Sequence, residues 1–200
     1  MTELLDPHDF DHTHADVSGG WLRAATFGAM DGLVTNTALI AGVGAAAGEH
    51  TVLLSGVAGL VAGAFSMALG EFTSVTTANE QIDAEVKVER AAIERNPEAE
   101  KAELVRMLMK KGLTEATARD AVEEIHADED EAVAVHLSNE IGIQPGHEPS
   151  PWVAAGSSFL MFAIGAVIPL IPYLLGLGSL PVGLMCGGVG LLIAGALAAH

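Results

Sequence analysis

Apolar and polar positions are segregated along this chain. Four apolar stretches, about 22–47, 51–76, 151–175 and 180–199, each reach the ~20 residues that a membrane-spanning helix needs. Between the second and third lies a polar segment, 77–150, that contains 18 of the 26 acidic residues. The pattern predicts an all-α fold: a polytopic membrane helix bundle with a small helical insert. Residues 21–76 would hold membrane helices 1 and 2, 77–150 the insert, and 151–200 membrane helices 3 and 4, with 1–20 as an acidic, histidine-containing tail.

The second apolar run meets no breaker after Glu71, so its helix is predicted to leave the membrane and continue to Arg95. Asn96-Pro97 ends it, because the residue before a proline is driven out of the helical region. Pro97 suits the first turn of the next helix, predicted over 97–111 and stopped by Gly112 after Lys110 and Lys111. A third helix follows Thr114 to about Ala127, and a fourth runs from about Asp128 to Ile141, stopped by Gly142. Leu104, Val105 and Leu108, then Ala118, Val122 and Ile125, recur at helical spacing. They suffice for a small core that needs support from the membrane helices, a partner chain or bound metal.

Charge orients this arrangement. Half of the residues are hydrophobic, yet the formal net charge is −17. Such a chain belongs in a lipid bilayer, and its charge excludes nucleic acid as a partner. The nine basic residues are Arg23, Lys87, Arg90, Arg95, Lys101, Arg106, Lys110, Lys111 and Arg119. One sits at the entrance to the first helix and the rest in 77–150, whereas the connectors "AAAGEHT" and "GLGSLP" carry none. The positive-inside rule then makes the N-terminus and the insert cytoplasmic. The acidic start argues against a cleaved signal peptide, and with no targeting signal the expected location is a prokaryotic plasma membrane. The single cysteine, Cys186, rules out an intrachain disulfide and reads as a small buried hydrophobe.

Small residues four apart, Gly28 and Gly32, Gly59 and Gly63, Ser66 and Gly70, Gly183 and Gly187, predict close helix approach in a tight bundle or a dimer. Pro169 and Pro172 predict a kink, in a helix that either lines a pathway or is simply bent.

Two acids interrupt the apolar runs: Asp31 in "GAMDGLVTNTALIAGV" and Glu71 in "SMALGEFTS". A charge at the bilayer centre costs at least ~3 kcal/mol and marks a function. Thr35 follows Asp31 by one turn, with Asn36 beside it, and Met67 precedes Glu71 by one turn. Carboxylates, a thioether and hydroxyls on facing helices would make a relay for a transition-metal ion, with methionine favouring Fe²⁺ over Mg²⁺ or Ca²⁺. The same spacing also describes Met67 as core packing. Burial favours the neutral form of an acid, so metal and proton would compete for one site, the minimal chemistry of antiport.

In the insert, Glu85 and Glu89, Glu100 and Glu103, and His136 and Glu140 form pairs that each share one helical face. Converging carboxylates with a histidine suit Fe²⁺ or Mn²⁺, and Zn²⁺ as well. A solvated acidic face has the same spacing. Glu123-x-x-His126 is the spacing of four-helix di-iron proteins, but those need two such motifs and one is present, so neither a ferritin-like centre nor an enzyme is expected. The run "DEDE" at 128–131 reads as solvated surface. The N-terminal "HDFDHTH", with His8, Asp9, Asp11, His12 and His14, reads as a loose metal-binding segment or a disordered tail.

Several of these stretches resemble the vacuolar iron transporter family. "GAMDGLVTNTALIAGV" and "AGAFSMALGEFTSVTTANE" are similar to its first two membrane helices, and "PSPWVAAGSSFLMFAIGAVIPLIPYLL" to its third. "IERNPEAEKAEL", "KKGL" and "NEIGI" are similar to its cytoplasmic metal-binding insert, and the resemblance covers most of 21–195. It implies a homodimer with the pathway between the two chains, moving Fe²⁺, sometimes Mn²⁺, out of the cytosol against incoming protons. By motif it implies Asp31 and Met67 as translocation ligands, Glu71 at the cytoplasmic entrance, and Glu89, Glu100, Glu103 and Glu140 as insert ligands. Two positions depart. One expected insert glutamate falls on or near Ala92, with Glu94 close by, and the family's adjacent methionine pair falls at about His136 and Leu137, where His136 would substitute as a ligand. The family has five membrane helices and four are counted here, so the chain is expected to be truncated before the fifth or to be a short member. A membrane-anchored module that buffers or senses cytosolic iron is the competing reading. It needs the insert glutamates but neither Asp31 nor Met67.

Overall fold

The computed structural model describes residues 20–198, with side chains to Ala196, and these residues are almost entirely helical. The histidine and aspartate run at His8, Asp9, Asp11, His12 and His14 lies outside the described residues. Helix α1 spans Trp21–Gly44, α2 Glu49–Arg95, α3 Pro97–Lys110, α4 Glu115–Ile125, α5 Glu129–Glu140, α6 Pro151–Val167, α7 Ile171–Leu174 and α8 Leu180–Ala198. Two stretches, Glu49–Arg95 and Pro151–Leu174, are long and apolar enough to cross a membrane, and Leu180–Ala196 is a shorter apolar helix. Helix α1 has 24 residues, about 36 Å of helix, but Asp31, Asn36 and three threonines dilute its apolar character.

Helix α2 has 47 residues, about 70 Å at 1.5 Å per residue. That is more than twice a hydrocarbon core of ~30 Å. Its second half therefore carries the insert away from the apolar bundle.

In the bundle, α6 packs against both α1 and α2, which also touch each other, and α8 lies against α1. Glycine sets the α1–α6 separation. A Cβ on Gly32 would meet the Phe162 carbonyl oxygen at 2.2 Å, and one on Gly165 would meet the Ala29 carbonyl oxygen at 2.1 Å. The Gly28, Gly59, Gly63, Gly183 and Gly187 positions also face other helices of the same chain, whereas Gly70 meets nothing. Ala64, Phe162 and Ala166 form the α2–α6 core, and Ile40, Val52, Leu170 and Tyr173 close the other end. Cys186 is a half-buried free thiol on α8.

Helix α6 tightens into a 3₁₀ turn at Ile168–Leu170 before α7, where Pro169 and Pro172 lack the N–H groups an α-helix needs. The Asn36 amide, fully buried, donates to the Ala166 carbonyl just before this break at 2.7 Å and to the Gly56 carbonyl at 3.2 Å. One side chain thus ties α1, α2 and α6 together.

The insert has two small cores that meet at Ile125. Leu104, Val105, Ala118 and Val122 join α3 to α4, while Ile93, Ala132, Val133 and Leu137 dock α5 on the α2 extension. Thr114 caps α4 and Asp128 caps α5, accepting from Asp130 N at 2.9 Å and Glu131 N at 3.2 Å. The left-handed Gly112 and Gly142, at φ 105° and 73°, follow the ends of α3 and α5. The "DEDE" run stays exposed, with Glu129 and Asp130 paired to Arg90.

Candidate metal centre

The insert's helix ends and cores decide which acids converge. Asn96-Pro97 turns the chain between α2 and α3 and returns Glu100 to the level of Glu89, eleven positions earlier. The contact of α5 with Ile93 brings His136 and Glu140, one turn apart, onto the same spot. One ligand atom from each of Glu89, Glu100, His136 and Glu140 lies within 4.8 Å of all the others. A first-row ion bonded at about 2.1 Å to four tetrahedral ligands holds them about 3.4 Å apart. Side-chain adjustments on the order of an ångström would therefore put all four on one ion.

His136 is fully buried and Glu89 nearly so, at 8% exposure. His136 Nδ1 lies 3.2 Å from both Glu89 Oε1 and Glu140 Oε1. Hydrogen-bond geometry is met toward Glu140, which leaves Glu89 Oε1 buried without a partner. Burial, then the negative charge of Glu140, raises the Glu89 carboxyl above its ordinary value; His136 pulls it down, and Glu100 and Glu103 raise it further. A buried, unpartnered carboxylate oxygen among three other donors fits a cation, which would take the open position and reverse the repulsion.

The other expected ligands lie elsewhere. Glu85 and Glu103 are exposed one turn from Glu89 and Glu100 and stand outside the four-residue group. Ala92 is half-buried and Glu94 exposed. Glu123 pairs with Lys101 at 2.6 Å, and the Glu123-x-x-His126 motif stands outside the four-residue group. His126 instead brings its Nε2 to 3.2 Å from His136 Nε2, the rings edge-on at 84°. Burial, then His136 and Lys101, push His126 below the ordinary imidazole value and keep it neutral.

In the bundle, Asp31 is exposed and accepts from Thr35 Oγ1 at 3.0 Å. Met67 is half-buried against the Ala64, Phe162 and Ala166 core. Glu71, 11% exposed, is paired with Arg23 at 3.1 Å. Asp31 thus pairs with Thr35 on its own helix, Met67 with the core and Glu71 with Arg23. Sequence reasoning missed the His126 contact, the Arg23 pair and the Asn36 crosslink. The signal for the second was present, since Arg23 is the one basic residue beside the first two apolar runs.

A model of the VIT family matches residues 22–200. The chain belongs to the VIT family. It is 35% identical over 154 residues to the vacuolar iron transporter of Acanthamoeba castellanii, covering 77% of this chain and 56% of that protein. It is 38% identical over 152 residues to vacuolar iron transporter homolog 1 of Oryza sativa subsp. japonica, covering 76% and 47%. With vacuolar iron transporter 1 of Arabidopsis thaliana it shares 32% over 176 residues, covering 86% and 68%. The chain spans about half the length of the first two of these relatives. Relatives in the VIT family are named as transporters rather than enzymes. With its apolar helices, membership makes this chain an all-α integral membrane protein.

Proposed function

We propose that this VIT family chain moves a divalent transition-metal ion, Fe²⁺ first and Mn²⁺ with it, out of the cytosol in exchange for protons. The observation that carries the reading is the convergence of Glu89, Glu100, His136 and Glu140 on a centre whose Glu89 and His136 are buried and whose Glu89 Oε1 has no partner. Three carboxylates with one imidazole suit Fe²⁺, Mn²⁺ or Zn²⁺ and give no soft ligand for Cu⁺. The names of the relatives favour iron. In this reading the insert captures the ion on the cytosolic side, where the basic residues gather. Glu71 receives it, and Asp31 and Met67 pass it on while taking up protons. The exposure of Asp31 in a single chain supports a homodimer with the pathway between the copies.

The completeness of the insert centre within one chain also favours a second reading, a membrane-anchored module that binds iron without moving it. Liposomes with an acidic lumen separate the two. Fe²⁺ entry that needs both the proton gradient and Asp31 supports antiport, and its loss in Asp31→Ala identifies the pathway. Fe²⁺ binding by the insert with no entry into the lumen overturns transport and leaves the binding module.

A further inference from the structure

We propose that His126 is the positioning residue of the insert centre: its Nε2 accepts the Nε2–H of His136 and so leaves the His136 Nδ1 lone pair facing the carboxylates. The inference rests on the reading that Glu89, Glu100, His136 and Glu140 hold the cargo ion.

A neutral imidazole carries one proton, and the hydrogen bond made by one nitrogen decides whether the other is free to bind metal. The two nitrogens of His136 look at different chemistry. Nδ1 has Glu89 Oε1 and Glu140 Oε1, each at 3.2 Å, while Nε2 has His126 Nε2 at 3.2 Å. Two carboxylates alone would draw the proton onto Nδ1, the tautomer whose Nδ1 cannot ligate an ion among those carboxylates. An ion among the carboxylates needs that nitrogen bare, so the proton must sit on Nε2. There the buried ring finds its acceptor in His126, because His136 has no exposed surface through which water could substitute.

The fold holds His126 for this task. It caps the C-terminus of α4, its backbone N–H bonded to the Val122 carbonyl at 2.9 Å, and Val122 is locked in the α3–α4 core. Its ring meets that of His136 edge-on, with centroids 5.3 Å apart. His126 touches the nitrogen opposite the one that faces the carboxylates, so it acts through His136 rather than as a further ligand. Metal-ligating histidines commonly hand their second N–H to a carboxylate or carbonyl that fixes the tautomer. Here an imidazole does so, which leaves the charge of the centre unchanged.

The test uses the full chain in detergent and Zn²⁺, a diamagnetic probe. Zn²⁺ affinity is measured for the unaltered protein, His126→Phe, His126→Gln and Glu89→Gln, and the His136 tautomer is read by ¹⁵N imidazole NMR in the Zn²⁺-loaded unaltered protein. Expected are an affinity loss of about 10–100-fold in His126→Phe, recovery in His126→Gln because its amide carbonyl accepts the same proton, and a proton on His136 Nε2. Wild-type affinity in a folded His126→Phe overturns the proposal, as does a proton on His136 Nδ1 with zinc at Nε2. The tautomer is read in the unaltered protein, so a variant that fails to fold does not remove the test. Weakening by Glu89→Gln with a silent His126→Phe overturns the positioning role alone. Silence of both variants, or a chain that takes up no Zn²⁺, overturns the metal centre and the proposal with it.

Discussion

On α1, the buried Asn36 donates to two backbone carbonyls of neighbouring helices, while Asp31, little more than a turn away, stays exposed with Thr35 as its partner. In the insert, the buried His136 faces two carboxylates through one nitrogen, and Glu89 Oε1 is left buried without a partner. The bundle thus uses its buried amide donor to hold helices together, leaves Asp31 exposed and pairs Glu71 with Arg23. The insert concentrates acids where they repel one another. Hydrogen-bonded crosslinks between membrane helices are worth roughly 1 kcal/mol each, whereas a buried unpaired charge is far more costly. The first arrangement stabilises a fold by itself, and the second is stable only with a cation nearby or a proton bound.

The largest effects expected from this contrast separate the two regions outright. Glu89→Gln should weaken Fe²⁺ binding by the insert about 100-fold, ~2.7 kcal/mol, as measured by competition with a chelating dye. Asp31→Ala should leave that affinity unchanged and reduce proton-driven Fe²⁺ entry into liposomes to background. If Asp31→Ala also abolished insert binding, the two regions would be one site and the contrast would be wrong.

The bundle's packing supplies the next test. Gly32→Val places carbon against the Phe162 carbonyl, where even a Cβ would stand at 2.2 Å. Forcing α1 and α6 apart should lower stability by about 1–3 kcal/mol, seen as a lower melting temperature in detergent. Gly70→Ala, which meets nothing, should have no such effect. Neither change should alter the insert's affinity for Fe²⁺.

These residues also show what the sequence can and cannot reveal. The unbroken run after Glu71, then Asn96-Pro97, Gly112 and Gly142, make the helix order legible because each is a local backbone event. His136 and Glu140 share a face by spacing alone. Glu89 and Glu100 do not, because their meeting depends on the angle at Asn96-Pro97 and on α5 seating against Ile93. Glu85 and Glu103 have equally good spacing and remain exposed, since spacing does not say which face docks. The same holds for Gly70 against Gly32. His126 was visible only as half of an incomplete motif, and its role depends on a contact ten residues on.

A smaller effect follows from acidity. The Glu89 carboxyl is held above the ordinary 4.5, first by burial and then by Glu140. Above its raised value it is an anion and able to bind metal; below it, a proton occupies the oxygen. Fe²⁺ affinity should therefore fall on acidification by up to about tenfold per pH unit. The fall should begin at a higher pH than for a centre of exposed carboxylates. Metal titrations across the acid range check this, and Glu89→Gln should flatten the dependence that remains.

The smallest effect is in stability, and it reverses with metal. A carboxyl whose folded value is raised makes the folded chain bind a proton more tightly than the unfolded one. Its stabilising contribution is present below the unfolded value and is lost as pH rises through the folded value. The metal-free protein takes on the penalty as pH rises through the folded value, so above it Glu89→Gln should raise the melting temperature by about 2–4 °C, a gain that vanishes in acid. Saturating Zn²⁺ should invert the order, because ligand binding stabilises only the chain that binds it well. A Glu89→Gln protein that melts below the unaltered one without metal would show that Glu89 stabilises the insert on its own. The difference drawn between a self-sufficient bundle and a cation-dependent insert would then fail.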